Sequence, residues 1–311
     1  MTRREWLALT AAAPLLNAKG LTGFQCEDLA QNGLVLIPPS SPEFDTLVAG
    51  IEQRAPERNL PKISEADREV SAILVNRGQK PVAGLQAVWR FETADGHSFR
   101  HSWGMLQSRG VLLPFGFSEV ARKRDAYWHT ILPGSKRYLT DGRMMGDNTD
   151  VRPPDADERI GSGGGGGGGG AHGTLRDGIV ITQGTLAIDG AFFADGEFAG
   201  PNREQLWEKI VAEAEARMSV GQVAREGRDK GESAQGILDV IAEMTGPAPE
   251  RIPMPPMIKE NSASMEDYRH WALQQVAFEF FGMPMRDITP EHKVETIAAW
   301  SDTVLPKFRR A

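Results

Sequence analysis

The dipeptide Asp-Gly occurs five times in this chain of 311 residues, and every copy lies before residue 200. An Asp-Gly pair favours tight turns, because glycine adopts the left-handed backbone conformation that hairpin turns need and aspartate tolerates it. Many short strands joined by such turns are typical of an all-β region. The distribution therefore predicts a strand-rich part before residue 200 and a different kind of structure after it.

The clearest strand signals lie between residues 71 and 92. Ser71 to Asn76 is a short apolar run that ends at a turn containing glycine and proline. Further along, apolar residues alternate with polar ones, and the apolar face consists of Leu85, Ala87, Trp89 and Phe91. This period of two predicts a half-buried strand.

The turn that follows, within residues 93–97, allows two registers. A two-residue Asp-Gly turn sets Phe91 opposite Arg100, whereas a three-residue loop with a left-handed Gly96 sets Phe91 opposite Phe99. The three-residue loop also sets Trp89 opposite His101. Cross-strand aromatic pairs contribute about 0.2–1 kcal/mol each, so we favour the three-residue loop.

The tripeptide Ala-Asp-Gly recurs at residues 194–196. By the same rule it sets Phe192 opposite Phe198. Repeated hairpins of this kind suggest an antiparallel, immunoglobulin-like β-sandwich over residues 64–200.

Residues after 200 have the spacing of amphipathic helices. Four helices are predicted, with N-caps at Asn202, Ser264 and Thr289 for the first, third and fourth, and with Pro290 at the first position of the fourth. Their predicted core residues are Leu206, Ile210, Val211 and Ala214; Ile237, Leu238 and Ile241; Leu273, Val276, Ala277, Phe280 and Phe281; and Val294, Ile297, Ala298, Leu305 and Phe308.

Residues 147–173 include eight consecutive glycines, Gly163 to Gly170. A phosphate-binding loop requires Gly-Lys-Ser/Thr at the start of a helix, but Ala171-His172-Gly173 follows here, so we predict a flexible loop. The predicted organisation is α+β: residues 1–18 are a signal peptide, 19–63 an N-terminal extension, 64–200 the β-sandwich with the flexible loop at 147–173, and 201–311 a C-terminal helical segment.

The chain begins with a positively charged segment followed by an apolar run too short to cross a bilayer. Thr2, Arg3, Arg4, Trp6 and Leu7 resemble the core of a twin-arginine signal peptide. The resemblance implies export of the folded protein to the periplasm or the medium of a bacterium. Cleavage after Ala18 or an uncleaved anchor are both open, and membrane contact is expected only through an uncleaved signal peptide.

A second resemblance is looser. The segment from Ile188 to Asn202 looks like one that recurs in secreted bacterial proteins without an assigned activity, where helices also follow. The resemblance extends over about a third of the chain. It implies that the chain belongs to such a group of proteins, but it implies no particular reaction.

Charge and motif content exclude several classes of protein. The net charge of −7 argues against binding to a phosphate backbone, which requires a basic face. No Gly-x-Ser-x-Gly nucleophile motif, dinucleotide fingerprint or haem-attachment pattern is present. We therefore predict no nucleic-acid partner, no cofactor and no catalytic motif.

Metal sites are weakly supported. His97 and His101 lie four apart on a predicted strand, which places them about 13 Å apart and too far for one ion. Cys26, the only cysteine, can form no intramolecular disulfide and lacks the neighbours of a blue-copper site. Calcium remains an open alternative for one acidic loop, whose oxygen-bearing residues are Asp147, Asn148, Asp150, Asp155, Asp157 and Glu158.

Two aromatic residues of the third predicted helix, Trp271 and Phe278, lie outside its main apolar stripe. They belong either to a broad core or to an exposed strip that contacts a partner. The leading hypothesis is an exported, non-catalytic protein that acts through contacts with a protein or an envelope surface. The alternative is a secreted hydrolase or carbohydrate-acting enzyme with dispersed carboxylates, for which the candidates are Asp189, Asp195 and Glu197.

Overall fold

The structure is a computed structural model, and it describes residues 23–53, 68–94, 96, 98–103, 130–140, 143–147, 181–251, 253, 255–256, 263–282, 288–303 and 307–311. These residues belong to two compact units. The first unit lies within residues 1–105 and 130–191, and the second lies within residues 106–129 and 192–311.

The first unit contains eight described strands and one α-helix. In chain order they are β1 (Gly23–Glu27), β2 (Leu34–Ile37), α1 (Phe44–Gln53), β3 (Ala72–Asn76), β4 (Val82–Thr93), β5 (Ser98–Trp103), β6 (Lys136–Thr140), β7 (Arg143–Asp147) and β8 (Ile181–Phe193), of which the last two residues belong to the second unit. A short 3-10 helix, Ala30–Asn32, precedes β2.

Four of these strands form an antiparallel sheet in the order β2-β3-β6-β7. Helix α1 packs on it through one apolar stripe, since Phe44, Val48 and Ile51 are buried with Ile73 and Tyr138. The i, i+4, i+7 spacing of the three helical residues places them on one helix face. This spacing explains why the segment folds as a helix beside strands.

The other sheet of the first unit has the order β8-β4-β5, and β1 also pairs with β8. The pairing of β1 with β8 is parallel, with Gly23 opposite Gln183 and Glu27 opposite Ala187. The predicted antiparallel, immunoglobulin-like sandwich is therefore wrong: the protein is a mixed α/β structure with parallel and antiparallel pairs. Parallel pairing joins segments far apart in sequence and carries no local turn signal.

The hairpin of β4 and β5 has the register of the three-residue loop. Phe91 lies opposite Phe99 and Trp89 lies opposite His101. Gly96 has φ +80°, the left-handed conformation in which an L side chain is strained. Both expectations for this turn are confirmed.

Two details of the strands differ from the sequence prediction. Gln86 alternates with Leu85 and Ala87, so the period of two predicts a solvated side chain, but Gln86 is buried, and β4 is buried on both faces as far as Trp89. The Asp189–Gly190 pair lies inside β8, and Asp189 is buried. An Asp-Gly dipeptide therefore marks a turn at residues 195–196 but not at 189–190, and the glycine of another pair, Gly96, also lies in a turn.

The second unit contains β9 (Glu197–Ala199), α2 (Leu206–Asp229), α3 (Ala234–Thr245), α4 (Met265–Phe281), α5 (Pro290–Ala298), a 3-10 helix (Ala299–Asp302) and β10 (Arg309–Arg310). The four helices predicted after residue 200 are present. Ser264 and Thr289 are N-caps as predicted, and Pro290 is the first residue of α5. No helix within these described segments is apolar and long enough to span a membrane.

The helices pack around α2, whose small residues allow close approach. A Cβ atom placed on Gly221 would lie 2.9 Å from the backbone nitrogen of Ser301 and 2.9 Å from Cβ of Trp300. One buried cluster draws residues from all four helices and the 3-10 helix, including Val220, Ile237, Phe280, Ile297 and Trp300. The absence of a side chain at Gly221 thus allows the backbone of α2 to pack directly against the 3-10 helix.

The end of the last helix was predicted too late in the sequence. Helix α5 ends at Ala298 and continues as the 3-10 helix, so Phe308 lies on an extended segment. Phe308 still packs against the helical core. Leu305, assigned to the same predicted helix, lies outside the described residues.

Candidate functional site

A tight turn between β8 and β9 positions two carboxylates. The backbone N–H of Gly196 donates to the carbonyl of Phe193 at 2.9 Å, and Gly196 has φ +86°. The side chain of Asp195 accepts from the backbone N–H of Glu197 at 3.1 Å. These bonds lie within the turn itself and hold Asp195 and Glu197 beside the start of β9.

Three aromatic rings pack beside this turn. The rings of Phe192 and Phe198, which were predicted to lie opposite each other, are in contact, with their centroids 4.9 Å apart. The indole of Trp207, in the first turn of α2, stacks on Phe192 at 5.5 Å with an interplanar angle of 9°. Trp207 also meets the edge of Phe198 at 5.7 Å, so each ring touches the other two.

The connection between β9 and α2 is strained and held by side chains. Asn202 and Gln205 have φ values of +59° and +53°, which are uncommon for residues with a side chain. The Asn202 side chain accepts from the backbone N–H of Trp207 at 3.0 Å and donates to Glu208 at 2.8 Å. The predicted N-cap at Asn202 is therefore wrong, since the N-cap position is Gln205, although the Asn202 side chain still accepts from a backbone N–H in the first turn of α2.

Gln205 links this connection to the start of α4. Its side-chain amide donates to the carbonyl of Ala263 at 3.0 Å and accepts from the backbone N–H of Ala263 at 3.2 Å. The hydroxyl of Tyr268 donates to the same amide oxygen at 3.1 Å. The left-handed backbone of Gln205 is thus fixed by three hydrogen bonds from elsewhere in the unit.

Residues 307–311, here called the arm, lie along β9 as a parallel strand. Arg309 lies opposite Glu197, and Arg310 lies opposite Phe198. The backbone N–H of Arg309 donates to the carbonyl of Gly196 at 3.0 Å, and that of Ala311 donates to the carbonyl of Phe198 at 2.8 Å. The arm therefore occupies the hydrogen-bonding edge of β9.

The aromatic side chain of the arm belongs to the ring cluster. The ring of Phe308 lies 5.8 Å from that of Phe192 and 6.2 Å from that of Trp207, both edge to face. Arg310 returns to the same side of the arm, since its guanidinium lies 5.2 Å from the centroid of Trp207 and donates to Glu208 at 2.7 Å. Alternation along an extended chain places these two side chains on one face.

Arg309 points to the other side of the arm, toward the turn. One guanidinium nitrogen, Nη2, contacts Asp195 at 2.7 Å and Glu197 at 3.1 Å, while Nη1 donates to the carbonyl of Asp195 at 3.2 Å. Hydrogen bonds to Asp195, and then to Glu197, raise the pKa of Arg309 above its usual value. We call the residues that contact the arm the arm-binding surface: Phe192, Asp195, Gly196, Glu197, Phe198, Trp207 and Glu208.

Two of the three candidate catalytic carboxylates, Asp195 and Glu197, meet at Arg309, and the third, Asp189, does not take part in this contact. Asp195 and Glu197 share the guanidinium of Arg309, so each of them is engaged in an ion pair with the same side chain. Asp189 is buried within β8. Asp195 and Glu197 are brought together, and the residue that joins them was not identified from the sequence.

Trp271 and Phe278, the two aromatic residues of the third predicted helix, do not form a fully exposed strip. Trp271 is buried, donates from its indole nitrogen to the carbonyl of Pro253 at 3.1 Å, and meets the ring of Tyr268 edge to face at 6.3 Å. Phe278 is half-buried. Trp271 is thus used in packing, and contact of either residue with a partner stays a prediction.

Most of the other predicted site residues lie outside the residues that the structure describes. The signal residues Arg3, Arg4, Trp6 and Leu7 lie outside the described residues. Asp147 is the last residue of β7, and the rest of the acidic loop also lies outside the described residues. Where the chain is described, no group of three or more His, Cys, Asp or Glu side chains is arranged to hold a metal ion.

Cys26 lies half-buried on β1. Burial, and secondarily the negative charge of Asp28, raise the pKa of the Cys26 thiol to about 12. Since only the thiolate reacts and burial disfavours it, we expect iodoacetamide at pH 8.5 to alkylate Cys26 at least about tenfold more slowly in the native chain than in the unfolded chain. Mass spectrometry over time measures both rates, and equal rates would contradict the assigned environment of the thiol.

The arm and its aromatic contact were not predicted from the sequence. Trp207 was not assigned to the core of the first helix, and the doublet Arg309-Arg310 was not singled out. The available signal was the run Phe308-Arg309-Arg310, an aromatic residue next to two cations, whose acidic partners lie more than 100 positions earlier. Comparison with protein-family models, with curated proteins and with solved structures finds no match.

Proposed function

We propose that the chain is an exported, non-catalytic protein that acts through contacts with another protein or with an envelope surface. The observation that carries the proposal is the arm-binding surface, which holds an extended aromatic and basic segment. It does so by strand pairing, ion pairs and ring packing at once. Strand addition at a sheet edge, with alternate side chains giving specificity, is a common mode of peptide recognition.

The alternative function, hydrolysis by dispersed carboxylates, is less well supported by the same site. Asp195 and Glu197 both contact one nitrogen of Arg309, at 2.7 and 3.1 Å. Both carboxylates are thus engaged in ion pairs with one cation. The acidic pair is therefore better suited to holding a cationic group than to acid–base catalysis.

The experiment that tests the proposal is affinity capture from an envelope extract. The bait is the protein without residues 1–18, and the matched control is the same bait after irreversible heat unfolding. Reproducible recovery of one protein or envelope component on the native bait alone supports the contact role. Recovery of nothing, together with turnover of a panel of glycosides and esters by the native protein, would overturn it.

Export is proposed from the leader and has its own test. A twin-arginine signal depends on both guanidinium groups, which lysine does not reproduce because its ammonium lacks the planar array of donors. We expect Arg3→Lys/Arg4→Lys to retain nearly all of the protein in the cytoplasm of a bacterium with this export pathway. Cell fractionation with immunodetection measures the distribution.

The matched control for export is Arg122→Lys/Arg124→Lys, which makes the same change outside the leader. This variant should be exported as the unaltered chain is. Equal export of the leader variant and the control would show that the arginine pair is not an address.

A further inference from the structure

The arm-binding surface is held in place by contacts that do not involve the arm. The turn bond from Glu197 to Asp195, the stacking of Trp207 on Phe192, and the bond from Asn202 to Glu208 all lie within residues 192–208. A surface whose carboxylates and rings are already positioned loses little conformational entropy when it binds a segment. It is therefore preorganised for an occupant.

The arm itself is attached by contacts that can exchange. Its backbone donates two hydrogen bonds to β9, and the side chains of Arg309 and Arg310 are about half exposed, at 49% and 53%. Exposed ion pairs contribute little to the stability of a fold. Opening of such a short edge strand needs far less free energy than opening of the helical core.

The surface is selective as well as acidic. With the arm in place, the side chains of Glu208 and Glu197 are only 19% and 22% exposed, so the charges that meet the arm are less screened by water than those of open surface carboxylates. Arg309 uses two nitrogens to reach two carboxylates and one carbonyl. A lysine ammonium is a point donor without this fork, so the geometry distinguishes arginine from lysine.

We propose that the arm-binding surface also binds an extended peptide segment supplied from outside the chain, in which an aromatic residue is followed by two arginines. The segment takes the place of residues 307–311 as a parallel strand on β9, and the arm acts as an intramolecular competitor. This inference rests on the proposed contact function and names the chemistry of the partner. The aromatic side chain enters the ring cluster, the first arginine bridges Asp195 and Glu197, and the second pairs with Glu208.

The test uses the peptide Lys-Phe-Arg-Arg-Ala, blocked at both ends and fluorescently labelled, with binding followed by anisotropy. A chain that ends at residue 306 should bind it, and the full chain should bind at least about tenfold more weakly, because its own arm has a high effective concentration. The peptide Lys-Phe-Lys-Lys-Ala has the same charge and should bind about tenfold more weakly, the effect of losing roughly one charge-assisted hydrogen bond.

Variants of the surface separate specific recognition from general attraction between charges. In the shortened chain, Asp195→Asn/Glu197→Gln should weaken binding of the arginine peptide at least about tenfold. The control Glu243→Gln/Glu291→Gln removes the same charge at two exposed helical positions and should leave binding unchanged. Circular dichroism at 222 nm verifies that each variant retains its helices.

A shortened chain that is folded but binds neither peptide, or binds both equally, would overturn the proposal. If the shortened chain does not fold, the full chain with Arg309→Glu/Arg310→Glu replaces it, since the arm is then present but repelled. Failure of that folded variant to bind the arginine peptide also overturns the proposal. Light scattering identifies a second copy as the source when a dimer of the full chain dissociates on addition of the arginine peptide.

The two levels of the proposal can fail separately. The peptide assay uses purified components, so a negative result leaves the capture of a partner by another surface intact. Capture that persists with the Asp195→Asn/Glu197→Gln bait, together with no peptide binding, rejects the peptide inference and retains the contact function.

Discussion

Replacing Trp300 by alanine is expected to lower the free energy of unfolding by about 3–5 kcal/mol, the range observed when a buried tryptophan is truncated. Trp300 is 2% exposed and is one of the largest fully buried side chains in the described parts of the chain. Its ring meets that of Phe280 at 5.1 Å, and the guanidinium of Arg217 lies 4.9 Å from its centroid. Removal leaves a cavity whose walls belong to packed helices.

Chemical denaturation followed by circular dichroism measures this loss from the shift of the transition midpoint. Val240→Ala is the matched control, since Val240 lies on α3 of the same unit but is 46% exposed. It should change the free energy of unfolding by less than about 0.5 kcal/mol. A Trp300→Ala variant as stable as this control would contradict the packing described for the helical unit.

Trp89→Ala is expected to have a comparable effect in the first unit. Trp89 is completely buried on β4, and its indole nitrogen donates to the carbonyl of Val70 at 3.0 Å. Truncation creates a cavity that costs about 3–5 kcal/mol. It also removes the donor from a buried carbonyl, and a buried polar group left unsatisfied costs about 1–3 kcal/mol more.

The Trp89→Phe variant separates these two contributions. Phenylalanine retains most of the ring but has no donor for the carbonyl of Val70, so its loss should be smaller than that of alanine. Denaturant titration of the three proteins gives both differences. Equal stability of Trp89→Phe and Trp89→Ala would mean that packing of the ring contributes nothing, contrary to its complete burial.

Features encoded within a few residues were predictable from the sequence. The register of the hairpin after Phe91 follows from its Asp-Gly turn and the aromatic pairs, and the cap at Ser264 follows from the residue type at the helix start. In each case the interacting groups are neighbours along the chain. Helix boundaries were less predictable, since nothing before Ala299 signals that the last turn tightens to a 3-10 helix.

The fold class and the site depend on residues far apart in sequence. Residues 23–27 pair in parallel with residues 183–187, and Arg309 meets Asp195. Neither contact has a turn, a spacing or a period that reveals it, because loop closure over such a length is decided by the whole fold. Asp195 and Glu197 were identified from the sequence as candidate catalytic carboxylates, but the structure shows both of them paired with Arg309.

The close approach of α2 to the 3-10 helix at Gly221 has a consequence for tracing the ancestry of this chain. Because a Cβ atom at that position would meet the backbone of Ser301 and Ile297 within about 3 Å, a larger residue there requires the two segments to move apart. Glycine in the middle of a long helix, followed downstream by Ile-Ala-Ala-Trp-Ser, is therefore a pairing that divergent relatives can retain after the remaining similarity has faded. Such a pairing offers a way to recognise them.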